Sequence, residues 1–148
     1  MFAKLVFLTG LTVCLGWVHP TLADAVSDGI ATIPGAVEDI RIAGTWQRDS
    51  RSGVYRIAIT RDGGETVTAR FFVQWVAYMD AGEAAVSDSM EIKEFAQLGL
   101  DVVDYFSESD AEGLTVFIET INPADGANEQ YELFVFGPDE YRFGPATN

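Results

Sequence analysis

The 148-residue chain has one cysteine, Cys14, and one histidine, His19. Both fall in the first 23 residues, a stretch with the pattern of a removable leader, so the rest of the chain has neither. Their absence excludes disulfides, thiol nucleophiles, histidine-based triads and His/Cys zinc sites from the processed protein. Basic residues are scarce too: 9 Lys and Arg stand against 23 Asp and Glu, a formal net charge of −14. A field of that sign repels nucleic acid and anionic membrane surfaces. No apolar run has the ~20 residues of a membrane-spanning helix. The longest, Leu5 to Val18, is followed by Pro20.

That run, however, has the features of an export signal. Met1-Phe2-Ala3-Lys4 is a short basic start, Leu5–Val18 the apolar centre, and Thr21-Leu22-Ala23 a small-residue cleavage site, with Ala23-Asp24-Ala25 as a second option. The residue before Cys14 is Val13, where a lipoprotein cleavage site needs a small residue, so lipidation is not expected. We expect a signal peptide over 1–23, a periplasmic or secreted protein, and no membrane insertion after cleavage. Lys4 leaves with the leader, so 8 basic residues face 23 acidic ones in the remainder, a charge of −15. About 125 residues suffice for one domain held together by its core alone.

Residues 24–40 are rich in small residues, with Gly29, Pro34 and Gly35 and no clear period, and are expected to form a flexible arm. From residue 41 onward the chain alternates apolar and polar residues in short segments. In Val54–Thr60, Tyr55, Ile57 and Ile59 share one face. Arg61-Asp62-Gly63-Gly64-Glu65 contains Asp-Gly, a strong hairpin signal. In Thr66–Met79 one face carries Val67, Ala69, Phe71, Val73, Trp75, Ala77 and Met79, and the other includes Arg70, Phe72, Gln74 and Tyr78. Residues 81–99 fit either a strand through Met90 and Ile92, with a phase slip at Glu94-Phe95, or a helix; the strand reading is preferred. Leu100–Phe106, Leu114–Ile121, Gln130–Phe136 and Glu140–Phe143 complete eight strand segments joined by polar turns. Such a series predicts an all-β antiparallel up-and-down meander over 41–148, closed into a roughly eight-stranded barrel. An α+β sheet with one helix in 81–99 is the alternative.

The first segment begins Gly44-Thr45-Trp46, and the last carries Arg142 between Tyr141 and Phe143. A glycine permits a sharp bend, a tryptophan plugs a barrel floor, and a planar guanidinium can stack on its ring. In these residues the chain resembles the calycins: lipocalins, avidins and bacterial protease inhibitors of that shape. The resemblance implies that Gly44, Trp46 and Arg142 close the barrel, with Arg142 covering Trp46 where the first and last strands meet.

A barrel of this size is either filled or holds one small ligand. The ligand-binding candidates are the inward residues Tyr55, Phe71, Val73, Trp75, Tyr131, Leu133 and Tyr141. They motivate a first expectation: a non-enzymatic carrier or sensor of a small apolar or amphipathic molecule, with no cofactor, metal or catalytic residue. Phe72, Tyr78, Phe117, Phe134 and Phe136 lie on the opposite faces and, if uncovered, form an apolar patch of the kind that marks an interface. They motivate a second expectation, an interaction or inhibitor module for another periplasmic protein. The acidic turn Ser107–Glu112 has a calcium-loop composition but not the EF-hand spacing, and reads as a solvated turn. A hydrolase using paired carboxylates is the remaining class, though no spacing selects a pair.

Overall fold

A computed structural model describes residues 22–147. The predicted leader lies outside the described residues except for its last two. The segment expected to be an arm is partly ordered: Leu22–Ala31 forms helix α1, and strand β1 begins at Val37. Helix α1 belongs to a unit of its own, and the second compact unit begins at Pro34 rather than at residue 41.

That second unit contains eight strands in two sheets. β1 (Val37–Arg48), β2 (Arg51–Gly63), β3 (Val67–Tyr78) and β4 (Ala84–Ile92) pair in order, antiparallel throughout. β5 (Asp101–Ser109), β6 (Leu114–Ile121), β7 (Asn128–Gly137) and β8 (Glu140–Pro145) repeat the pattern. The antiparallel all-β meander is therefore observed as two four-stranded sheets, neither of which closes into a barrel.

The turns follow their chemistry. Arg48 pairs with Arg51 around Asp49-Ser50, and Asp49 takes φ +54°, a left-handed conformation that aspartate tolerates. Gly63 pairs with Val67, so the hairpin expected at Asp62-Gly63 turns slightly later, over Gly64–Thr66.

Residues 81–99 combine both readings. β4 ends at Ile92, and the phase slip at Glu94-Phe95 marks one helical turn, α2 (Glu94–Leu98), closed by Gly99 at φ +63°. Phe95 is fully buried, stacked on Phe71 at 5.0 Å and tilted against Phe143 of β8 at 5.3 Å. The Tyr141 hydroxyl donates to Glu94 Oε2 at 2.9 Å. α2 thus joins the first sheet to the far edge of the second.

The inward faces of both sheets meet in one core. Alternation places Tyr55, Ile57 and Ile59 from β2, Ala69 to Ala77 at odd positions of β3, and Leu114, Val116 and Ile118 of β6 within it. Burying residues of this size is worth roughly 1.5–3 kcal/mol each. Outward residues pair across strands instead, as where Arg70 forks onto both oxygens of Glu91 at 2.8 Å.

The other junction between the sheets runs along β1 and β5. The Ser107 hydroxyl donates to the Ala43 carbonyl at 2.8 Å, and the Thr45 amide donates to Ser109 Oγ at 3.1 Å. One step along, Arg41 contacts Asp39 at 2.6 Å and Asp104 at 3.4 Å. Partner numbers rise together, so β1 and β5 run parallel and are bridged by side chains. The first strand's neighbour across the sheets is therefore the fifth, not the eighth. Gly44 makes this approach possible: at φ +145°, a Cβ there would lie 2.3 Å from Ser109 Oγ.

Candidate functional site

The residues expected to line a ligand cavity are packed against one another. Phe71, Val73 and Leu133 are 0 % exposed, so no water-sized sphere fits beside them, and Tyr55, Trp75 and Tyr131 are nearly as enclosed. Tyr55 meets Trp75 edge to face at 5.8 Å, and Tyr131 stacks on Phe143 at 4.8 Å. Tyr141 is half-buried against the same cluster. The sequence assigned these side chains to the correct face; in the structure they act as core.

The hydroxyls of Tyr131 and Tyr141 are satisfied locally. Tyr131 donates to Glu129, and burial together with that carboxylate pushes its pKa up to about 12. Tyr105, from β5, donates to Asp39 at 3.2 Å beneath the Arg41 guanidinium, which lies 4.4 Å from its ring centre. Burial first, then Asp39, holds Tyr105 well above the usual phenol value. Tyr105 thus pins β5 to β1, whereas the Tyr131 bond lies within β7.

At one end of the unit several core aromatics border an opening to the surface. Trp46, Arg48, Tyr55, Trp75, Asp110 and Glu112 border a cleft of about 240 Å³. The Trp46 indole donates to the Val54 carbonyl at 3.1 Å, so its one polar atom is already partnered. Burial raises the Tyr55 pKa, opposed by Arg48. The acidic turn expected as a solvated loop borders this cleft. Its Asp110 Oδ1 accepts from the amides of Glu112 and Gly113 at 2.8 and 3.1 Å.

The expected Arg142–Trp46 stack is replaced by another. Arg142 lies over Phe134, 4.5 Å from the ring centre. Alternation requires this: Tyr141 and Phe143 pack against the core, so Arg142 between them faces outward, whereas Trp46 is 8 % exposed and points inward. Gly44 serves the β1–β5 junction, and the barrel-closing role expected of Gly44, Trp46 and Arg142 together is not what their contacts show.

The outer face of the second sheet carries the remaining aromatic residues. Phe106 of β5 pairs with Phe117 of β6, their rings stacked at 4.6 Å and 15°, and Phe106 is 59 % exposed. Beyond them, Phe117 pairs with Glu132 and Glu132 with Gly144. In the adjoining row Asp104 faces Glu119, and Glu119 faces Gln130. These rows frame a groove of about 330 Å³, walled at one end by Ala146 and Thr147. A Cβ on Gly144 would meet nothing within 4 Å, which leaves the groove open opposite Glu132. On β1, Ile42 is likewise 61 % exposed.

Of the outward aromatics expected from sequence, Phe117 borders this groove and Phe134 lies under Arg142. Phe136 and Tyr78 are exposed, and Phe72 sits under Arg70 at 5.2 Å. Phe106 was missed. A bulge between Val102 and Asp104 shifts the phase of β5, so Tyr105 turns in and Phe106 out. A signal was available, because Phe106 stands in phase with Asp104 and Glu108.

Among the described residues no cluster of three or more His, Cys, Asp or Glu is placed to hold a metal ion, and no helix is long and apolar enough to cross a membrane. Comparison with protein-family models, with curated proteins and with solved structures finds no match to this chain.

Proposed function

We propose that this protein is an exported, non-enzymatic interaction module that binds another protein through the outer wall of its second sheet. The carrying observation is the Phe106–Phe117 stack, two large rings held in contact with solvent above a groove. An uncovered aromatic strip costs solubility and favours occupation by a partner. A second copy of this chain is a poor occupant. The groove is rimmed by Asp104, Glu119 and Glu132, and two such acidic molecules would repel. The close packing of Phe71, Val73 and Leu133 favours a surface site over an interior one. Placing the protein in the periplasm or outside the cell rests on the Lys4, Leu5–Val18 and Ala23 series.

The test is site-directed photo-crosslinking in the exporting cell, with a photoreactive phenylalanine at position 106. One discrete adduct of mixed composition is expected, absent when the same group stands at exposed Ser89 on the first sheet. Equal adducts from both positions, none from position 106, or only an adduct of two identical chains would overturn the reading.

A second reading, a carrier of a small amphipathic molecule, draws on the end cleft, where Tyr55 and Trp75 come nearest the surface. Trp46 and Trp75 would report its occupation by a change in fluorescence.

A further inference from the structure

We propose that the groove on the second sheet receives an extended basic segment of the partner, with Lys or Arg stems laid across Phe117 and their charges held by Glu119 and Glu132. This rests on the proposed docking face and names the chemistry of what docks there.

Charge and register carry the argument. Asp104 and Glu119 face each other directly across β5 and β6, and like charges so placed destabilise a sheet. Asp104 is partly relieved by Arg41 at 3.4 Å. Glu119 and Glu132 take part in no ion pair among the described residues. Arg142, the one basic residue of β8, is committed to Phe134 one row away. The groove therefore combines unneutralised carboxylates with an open aromatic face, and a cation satisfies both. Carboxylates attract its charge, the ring face attracts it through the quadrupole, and the methylene stem covers apolar surface.

The spacing fits an extended chain. Glu119 faces Gln130 and Phe117 faces Glu132, so the two glutamates are diagonal neighbours, about 7–8 Å apart. Alternate side chains of an extended segment repeat at roughly 6.5–7 Å on one face. Two basic residues separated by one position would thus reach Glu119 and Glu132 together. Neutral apolar segments would use the rings but leave the carboxylates crowded.

The experiment is calorimetric titration of the protein with three synthetic extended peptides differing only at alternate positions: Lys, Gln or Glu. The Lys peptide should bind, with affinity falling at least about tenfold as salt rises from low to several times physiological. The Gln peptide should bind about tenfold more weakly or worse, and the Glu peptide not at all. Glu119→Gln with Glu132→Gln should weaken the Lys peptide about tenfold without lowering the thermal midpoint, since it relieves the repulsion between Asp104 and Glu119. Glu65→Gln with Glu83→Gln, which removes the same charge elsewhere, should leave it nearly unchanged. Equal losses from both pairs would reduce the effect to the general acidic field and overturn the inference. Equal binding of the Gln and Lys peptides would also overturn it, but the docking face would stand. Failure of all three peptides overturns the inference as well; the crosslink from position 106 then decides the docking face separately.

Discussion

At the scale of single residues, the position of Arg142 shows how far strand alternation determines contacts. Its neighbours Tyr141 and Phe143 pack towards the core, so its own side chain faces out, over Phe134. Trp46 is buried on the opposite side of a sheet. Trp46→Ala should cost about 3–5 kcal/mol, as for other enclosed aromatics, and Arg142→Ala much less. Because the two share no partner, their losses should add to within about 0.5 kcal/mol in urea denaturation. Arg142 and Phe134 should instead show a coupling of about 0.5–1 kcal/mol. Strong coupling between Arg142 and Trp46 would contradict the contacts described.

At the scale of elements, the junction of β1 and β5 depends on side chains where a sheet would use its backbone ladder. Ser107 and Ser109 supply one donor and one acceptor, and Gly44 leaves them room. Gly44→Ala should therefore destabilise by at least about 1–3 kcal/mol through its backbone conformation alone, with the clash against Ser109 added. Combining it with Ser109→Gly should recover part of the loss, since that removes the atoms a new Cβ would strike. If the double variant is no better than Gly44→Ala, the close approach is not the cause. α2 seals the opposite junction through Phe95, so the two sheets are joined by polar contacts on one side and an aromatic cluster on the other.

At the scale of the whole molecule, four buried or half-buried tyrosines set the response to alkali. Tyr55, Tyr105, Tyr131 and Tyr141 all have raised pKa values, burial being the first cause in each. A phenol raised in the folded state ionises more readily when unfolded, near pH 10. Its contribution is therefore complete below about pH 10 and is lost as pH rises through the folded value, near 12 for Tyr131. Urea midpoints should be flat from neutral to about pH 10 and fall steeply beyond. Tyr105→Phe should make that fall shallower. A midpoint indifferent to pH across this range would show that the tyrosines are free to ionise in place.

The sequence by itself determined what depends on local pattern and composition. Period-two alternation identified eight strand segments and assigned Phe71, Val73, Trp75 and Leu133 to the buried face. The confinement of the one cysteine and the one histidine to positions 14 and 19 excluded whole classes of chemistry from residues 24–148, and the excess of carboxylates set the sign of the chain's own field. Tertiary structure decided which strands become neighbours: β1 beside β5 rather than β8, because partner choice depends on long-range packing that no local repeat records. It also decided that the inward aromatics fill their space, since packing density belongs to the assembled core. The bulge between Val102 and Asp104 turned Phe106 outward, because one extra residue reverses the facing of all that follow it in the strand.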